Sequence, residues 1–492
     1  MEHIDQYIRA ILPALKDSML LKRTELSGLE IADGDYRCPG QFYADGFAFR
    51  KFETDETWGG ADRHFWFRAE VPENAGIPGK PLYLLVRTGA VDIWDTDNPQ
   101  IIGFLNGRRT ASMDMNHQDM LIEECCGGKP AEVAFYAYSN QARRSLHFYL
   151  EAVVPDPAVQ QLYYDVKVLF DACELLAEGD PEKIAGERAI YDALCLLDLR
   201  DTGSAAFRDS VELADRSLRE NYYDPRKEAP VTVHSIGYTH IDVAWKWPIR
   251  QTRQKAVRSY QTVLNLMKEY PEYRFSASTP ELYEFVREDA PDLFEEIRKK
   301  IQEGRWEAEG GMWLEPDCNL ISGESMVRQF LYGTRYFEEV LHAGKQEVLF
   351  LPDVFGYSAA LPQIMRGFGL SYFMTTKMGW NDSDKFPYDT FVWRGLDGSP
   401  VLTQLVTTRD YDPSEGHAGI RDRETTYNGR QNPDQLMGTW QRYQQKNLTA
   451  DLVTLYGFGD GGGGPTREML EQSRRMEHSI ARVPRVQQSS LR

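Results

Sequence analysis

The chain has 492 residues, with 56 Lys and Arg against 75 Asp and Glu, a net charge of −19; 42% of it is hydrophobic and 12% aromatic. That is room for about three domains with a large core, and the aromatic content excludes a disordered chain. The acidic balance argues against nucleic acid or an anionic membrane surface as partner, since both need clustered cations.

In chain order, Ile4, Ile8, Ile11, Leu12 and Leu15 recur at helical spacing, which predicts an amphipathic helix and not a signal peptide. With no apolar run long enough to span a membrane, the expected setting is cytoplasmic. The six cysteines are Cys38, Cys125, Cys126, Cys173, Cys195 and Cys318, none of them in C-x-x-C spacing, so reduced thiols are expected, the vicinal pair Cys125–Cys126 included.

Short aromatic and β-branched segments follow: Phe42–Phe49, His64–Arg68, Leu82–Val86 and Ile101–Leu105, the last running into Asn106-Gly107. They predict an all-β sandwich-like domain with a hairpin at the Asn-Gly turn. Residues 1–155 are read as an N-terminal helix plus this domain, and 156–225, where the period becomes helical, as a connector. From 226 to 492 short strands alternate with helices: strands at Val231–Tyr238, Tyr273–Ala277, Trp306–Gly310, Val348–Leu351, Tyr372–Thr376, Val401–Val406 and Leu452–Gly457, and helices at Arg250–Glu269 and Pro280–Gln302. Such βα units imply a largely parallel sheet with function at the strand C-termini.

Four motifs sit at those ends. In Tyr238-Thr239-His240-Ile241-Asp242-Val243-Ala244-Trp245, an extended chain turns His240 and Asp242 to one side, half of a divalent metal site or a hydrogen-bonded polar strand end. Asp353, in Leu351-Pro352-Asp353-Val354-Phe355-Gly356, is a metal ligand, a nucleophile or the N-cap of a helix starting near Ala359. Asp460 precedes four glycines and lacks the Lys of a phosphate loop, so the loop gives a polar ligand access to a carboxylate or is simply flexible. Trp313, Glu315 and Asp317 put an aromatic face beside two acids, as carbohydrate sites do. Paired carboxylates from different strands suit glycoside hydrolysis.

These motifs, with Trp58-Gly59-Gly60 and Trp66-Phe67-Arg68 in the front region, closely resemble the α-mannosidases of glycoside hydrolase family 38, in the branch of bacterial, vacuolar-yeast and cytosolic animal enzymes. The resemblance implies an α/β fold in which a seven-stranded β/α barrel follows the β domain and the connector. It implies a retaining exo-α-mannosidase with one Zn²⁺, held by His240, Asp242 and Asp353, other divalent ions being alternatives. Asp353 would also be the nucleophile and Asp460 the acid/base; Trp245, Phe355, Lys377, Trp313 and Asp317 would contact the sugar. The partners implied are α-mannosides and oligosaccharides, with homo-oligomerisation left open. In the family a fourth zinc ligand, a histidine, lies well downstream of the glycine-rich loop. His478, the sole histidine after Asp460, reads as a surface residue, so the 492 residues are expected to stop before that ligand and before the family's C-terminal domains. Gln404 stands where relatives often carry histidine. Two other readings stay open: another metal-dependent carbohydrate hydrolase of the deacetylase kind, and a mannose-binding fragment without turnover.

Overall fold

The structure, a computed structural model, describes residues 3–36, 46–90, 99–122, 130–140, 146–223, 229–381, 384, 386–413 and 424–492. Cys38, the Cys125–Cys126 pair and residues 42–45 of the expected strand Phe42–Phe49 lie outside them. The chain divides into two compact units. The first comprises Met1–Phe170, Glu178–Asp224 and Val257–Asn265; the second comprises Asp171–Ala177, Pro225–Ala256 and Leu266–Arg492.

Among the described residues of the first unit, ten strands form two antiparallel sheets. Leu20–Glu25 (β1), Glu30–Asp33 (β2), Arg50–Lys51 (β3), Arg63–Val71 (β4) and Leu82–Arg87 (β5) precede Gln100–Leu105 (β6), Arg108–Met113 (β7), Asp119–Ile122 (β8), Ala131–Ser139 (β9) and Tyr149–Pro155 (β10). The sheet orders are β1-β10-β5-β8 and β3-β2-β4-β9-β6-β7. Between them lies one core, in which Phe67 stacks on Phe148 at 4.0 Å and Trp58 meets Phe65 and Phe67 edge-on. Because side chains alternate along a strand, Trp66 points the other way, into a second cluster with Tyr36, Phe104 and Tyr136. Burial of both faces explains why β4 reads as an unbroken aromatic run. The Asn106-Gly107 turn joins β6 to β7 with positive φ at both residues, as a type I′ hairpin requires.

The helices of this unit are Ile4–Asp17 (α1), Pro157–Glu174 (α2, whose last four residues belong to the second unit), Pro181–Leu194 (α3) and Ala205–Asn221 (α4). α1 buries Ile4, Ile8 and Leu15, and the side chains of Asp180 and Ser204 cap α3 and α4.

The second unit alternates strand and helix, as the sequence predicts. Its strands are Thr232–Gly237 (β11), Phe275–Ala277 (β12), Trp306–Ala308 (β13), Val348–Leu351 (β14), Tyr372–Thr375 (β15), Thr390–Arg394 (β16), Pro400–Leu405 (β17), Asp451–Tyr456 (β18) and Arg485–Gln488 (β19). The helices are Ile249–Glu269 (α5, whose middle, Val257–Asn265, belongs to the first unit), Pro280–Asp289 (α6), Pro291–Gln302 (α7), Gly323–Arg335 (α8), Leu361–Gly367 (α9), Pro433–Arg442 (α10) and Arg467–Arg475 (α11). The single helix expected over Pro280–Gln302 is two: Pro291 withholds a donor and drives Ala290 out of the helical region. β16 and β19 were not expected; β16 pairs antiparallel with β17 as a sheet edge.

The strands do not close into one barrel sheet among the described residues, which corrects the seven-stranded barrel implied by the resemblance. They form two sheets: β13-β12-β11-β18 with β19 also on β11, all parallel, and β14-β15-β17-β16. Side chains explain the seam. Glu309, following β13, accepts the amide N–H of Glu347 (2.6 Å) and of Val348 (2.8 Å). Gln346 accepts from Gly310 N at 3.0 Å and donates to the Ala308 carbonyl at 3.2 Å. Apart from Phe350 N, which donates to the Gly310 carbonyl at 3.4 Å, donors and acceptors that a strand ladder would use are satisfied here by a carboxylate and a carboxamide. At the other edge Gly457 N donates to Gly429 O, and the hydroxyls of Thr408 and Thr454 meet at 2.5 Å.

Two stability predictions follow from the second unit. Burial pushes the Glu309 carboxyl up to about 6 from an ordinary 4.5, against the N–H donors and Arg492, which pull it down. The folded state therefore holds its proton more tightly than the unfolded chain, so this contribution is full below pH 4.5 and is lost as pH rises through 6. The loss is about 2 kcal/mol. Urea unfolding of the parent and of Glu309→Gln, each well below pH 4.5 and well above pH 6, should show a fall in the variant smaller than the parent's by about that amount. At Gly429 a Cβ would lie 2.2 Å from the Leu455 carbonyl oxygen. Gly429→Ala should cost about 1–3 kcal/mol in the same measurement.

Candidate active site

The strand ends of the second unit supply the walls of a cavity of about 670 Å³, lined by residues that include His240, Asp242, Trp245, Glu315, Asp317, Asp353, Phe355, Lys377, Trp380, Tyr427, Asn428 and Asp460. Each comes from the segment after a parallel strand: His240 and Asp242 after β11, Glu315 after β13, Asp353 after β14, Lys377 after β15 and Asp460 after β18. Parallel pairing sends the C-termini of neighbouring strands to one edge of each sheet, which is why motifs so distant in sequence converge.

His240 is buried, and its ring meets Tyr427 edge-on at 5.2 Å. Nε2 lies 3.5 Å from Asp353 Oδ2 and 3.6 Å from Asp242 Oδ1 and has no hydrogen-bond partner. Nδ1 lies 3.3 Å from Glu315 Oε1, which also accepts from the Tyr238 hydroxyl at 3.0 Å. Burial opposes a charge on this imidazole, but Glu315 and Asp242 outweigh it and hold the group well above its ordinary value.

Asp353 pairs through Oδ1 with Lys377 Nζ at 2.9 Å. It caps no helix, since α9 begins at Leu361 with Ala360 before it. The ammonium sits over Trp380 (3.6 Å) and 5.3 Å from the rings of Phe355 and Tyr427. These rings offer the cation their electron-rich faces and keep it beside the carboxylate.

Asp460 is held differently. Tyr427 donates its hydroxyl to Oδ1 at 2.9 Å and Asn428 its amide to Oδ2 at 3.2 Å. Burial pushes the carboxyl above the usual range, helped by Asp242 and Asp353 and opposed by His240 and Tyr427. The backbone at Asp460 is left-handed, with φ 55°. At Gly459 a Cβ would lie 2.3 Å from Asn428 Oδ1, so a side chain there would displace the amide that holds Asp460. The loop ends where Thr466 caps α11 by accepting from Met469 N.

His240, Asp353 and Asp460 offer ligand atoms that all lie within 4.8 Å of one another. An orphaned buried imidazole nitrogen amid carboxylates is a donor set suited to a divalent cation. Trp245 is half-exposed at the cavity wall, and Phe355 is exposed at its mouth. Trp313 packs edge-on against Tyr336 and is absent from the lining. Asp317, at the rim, accepts from Asn319 N and Leu320 N and so closes its own turn. Gln404 bonds to Thr390 and to the Leu405 carbonyl, away from the lining, and His478 is exposed elsewhere. Glu315 belongs to a motif that the sequence singles out, but its role beside His240 was not anticipated. Trp380, Tyr427 and Asn428 lay outside every motif, the Asn428-Gly429 turn signal being the sole pointer.

Residues 230–492 match the model of the glycosyl hydrolases family 38 N-terminal domain. The chain is similar to alpha-mannosidase G of Dictyostelium discoideum, 29% identical over 460 residues that cover 90% of this chain and 40% of that one. It is 36% identical over 335 residues to an alpha-mannosidase of Saccharomyces cerevisiae, covering 66% of this chain and 29% of the relative. With human alpha-mannosidase 2C1 it shares 30% identity over 456 residues, 90% of this chain and 41% of that one. The chain thus spans about 40% or less of the length of these relatives. A solved alpha-mannosidase from Enterococcus faecalis V583 aligns with a TM-score of 0.41 at 17% identity, over 53% of this chain and 28% of that one. The match to the family's N-terminal domain takes in more than half of the residues, and the chain belongs to glycosyl hydrolase family 38.

Proposed function

We propose that the cavity is the site of a retaining exo-α-mannosidase acting on terminal α-linked mannose in oligosaccharides. The observation that carries this reading is the convergence of Asp353 and Asp460 beside His240, where one ligand atom of each lies within 4.8 Å of the others. Two carboxyl groups brought together from different strand ends are what glycoside hydrolysis uses, and retaining enzymes hold theirs closer than inverting enzymes, which must admit a water between them.

In this mechanism a carboxylate oxygen of Asp353 attacks the anomeric carbon as the bond to the leaving oxygen breaks, and Asp460 gives that oxygen its proton. A covalent glycosyl ester on Asp353 results. Asp460, now ionised, takes a proton from water; the water oxygen attacks the anomeric carbon and frees Asp353 with the configuration retained. The raised carboxyl of Asp460 suits proton donation near neutral pH. Lys377 holds the nucleophile's other oxygen, and Trp245 and Phe355 offer apolar faces to the sugar ring. A zinc ion held by His240, Asp242 and Asp353 would supply Lewis acidity toward the sugar hydroxyls when bound.

The test is hydrolysis of aryl α-mannosides by this chain. Chelation should abolish activity and Zn²⁺ restore it; Asp353→Asn should lower kcat/KM by roughly 10³-fold or more. NMR should detect the α-anomer first. Activity indifferent to both chelator and Asp353→Asn sinks the reading, and acetate release from an acetylated oligosaccharide with no mannose freed from the aryl mannoside would favour a deacetylase. A second measurement separates the two acids. Asp460→Asn should cost roughly 10²–10⁴-fold on unactivated disaccharides and much less on dinitrophenyl mannoside, whose leaving oxygen needs no proton.

A further inference from the structure

We propose that Glu315, tethered by Tyr238, is the positioning residue of His240: by accepting the Nδ1 proton it fixes the ring so that Nε2, on giving up its own proton to an incoming metal, turns its lone pair toward Asp242 and Asp353. This rests on the reading of His240 as a metal ligand given above. A carboxylate only accepts, so the 3.3 Å contact to Nδ1 is a donation from the ring. The opposite nitrogen is left without a hydrogen-bond partner and 3.5–3.6 Å from two further carboxylates. That is the arrangement in which a second carboxylate fixes a ligating histidine.

The support behind Glu315 is rigid. Gln329 of α8 accepts the Leu314 amide through its side chain (2.8 Å) and the Trp313 amide through its carbonyl (2.9 Å). Gly333, one turn on, leaves no room for a Cβ, which would lie 2.4 Å from the Met312 carbonyl carbon. From the other side the buried Tyr238 ring packs edge-on against Phe350 at 4.9 Å, and its hydroxyl reaches both Ser278 (3.2 Å) and Glu315 (3.0 Å). Glu315 also carries a cost that folding alone does not explain, because Oε2 is buried without a hydrogen-bond partner. Asp317, two residues away, is spent on its own turn. Of the two acids in the motif, Glu315 is therefore the one committed to the histidine.

The experiment is competition for Zn²⁺ alone between the full chain and a chromophoric chelator, with His240→Gln defining uptake at this site. Metal-free melting temperatures establish that each variant folds. Glu315→Leu should bind roughly 10–100-fold more weakly. Glu315→Gln, which keeps an acceptor oxygen, should stay within about threefold of the parent and keep its Co²⁺ absorption spectrum, a rescue that mere packing would not produce. Should Glu315→Leu not fold, Tyr238→Phe decides, with an expected loss of about two- to tenfold, the worth of one hydrogen bond. Unchanged affinity in Glu315→Leu overturns the proposal, as does an unchanged Tyr238→Phe where the first variant fails to fold. So do Glu315→Gln binding as weakly as Glu315→Leu, and a parent without His240-dependent uptake. Glu315-dependent zinc uptake with no mannoside hydrolysis retains the positioning role and removes the mannosidase reading; hydrolysis with Glu315-independent uptake does the reverse.

Discussion

Among the described residues, Asp242, Glu315, Asp317, Asp353 and Asp460 share one cavity with a single buried imidazole and a single ammonium. Bringing so many like charges out of water is costly unless cations and hydrogen bonds answer them. The rest of the site can be read as the distribution of those answers. Lys377 is committed to Asp353 and kept there by three rings, Tyr427 and Asn428 donate to Asp460, and Tyr238 and His240 meet at Glu315. Among the described atoms that line it, His240 Nε2 and Glu315 Oε2 stay without a hydrogen-bond partner. The same charge that excluded nucleic acid at the level of composition is here concentrated into a demand for a small cation.

That demand sets conditions on the scaffold. Carboxylates arriving from the ends of β11, β13, β14 and β18 must come close without their backbones colliding, and glycine meets this requirement where the chain crosses itself. Gly459 and Gly457 stand where a side chain would strike Asn428 or the Tyr238 carbonyl. The four-glycine run that looks like a flexible tract in the sequence is thus a tightly packed turn, with Phe458 and Gly464 exchanging two backbone hydrogen bonds across it.

His240, Asp242, Asp353 and Asp460 were legible in the sequence because each follows a short apolar strand, and period two together with parallel topology is enough to bring strand ends together. Lys377 and Phe355 were legible through the family resemblance alone. Tyr427, Asn428 and Trp380 were not, since they lie on loops whose course is fixed by tertiary contacts such as the Trp380 indole N–H on the Thr425 carbonyl. Glu315 could be seen as an acid near a strand end, but which atom it would serve depends on α8 packing behind it. The sandwich-like front and the hairpin at Asn106 followed from local signals. The seam did not, because Gln346 and Glu309 imitate a strand ladder with side chains, and no pattern of hydrophobicity records that.

The left-handed backbone at Asp460 bears on how this position can be interrogated. Asparagine tolerates that conformation nearly as well as aspartate does, whereas alanine and glutamate meet a steric penalty in it. A substitution scan at 460 therefore mixes two quantities, the lost carboxyl and the displaced loop, and the isosteric amide is the replacement that separates chemistry from conformation.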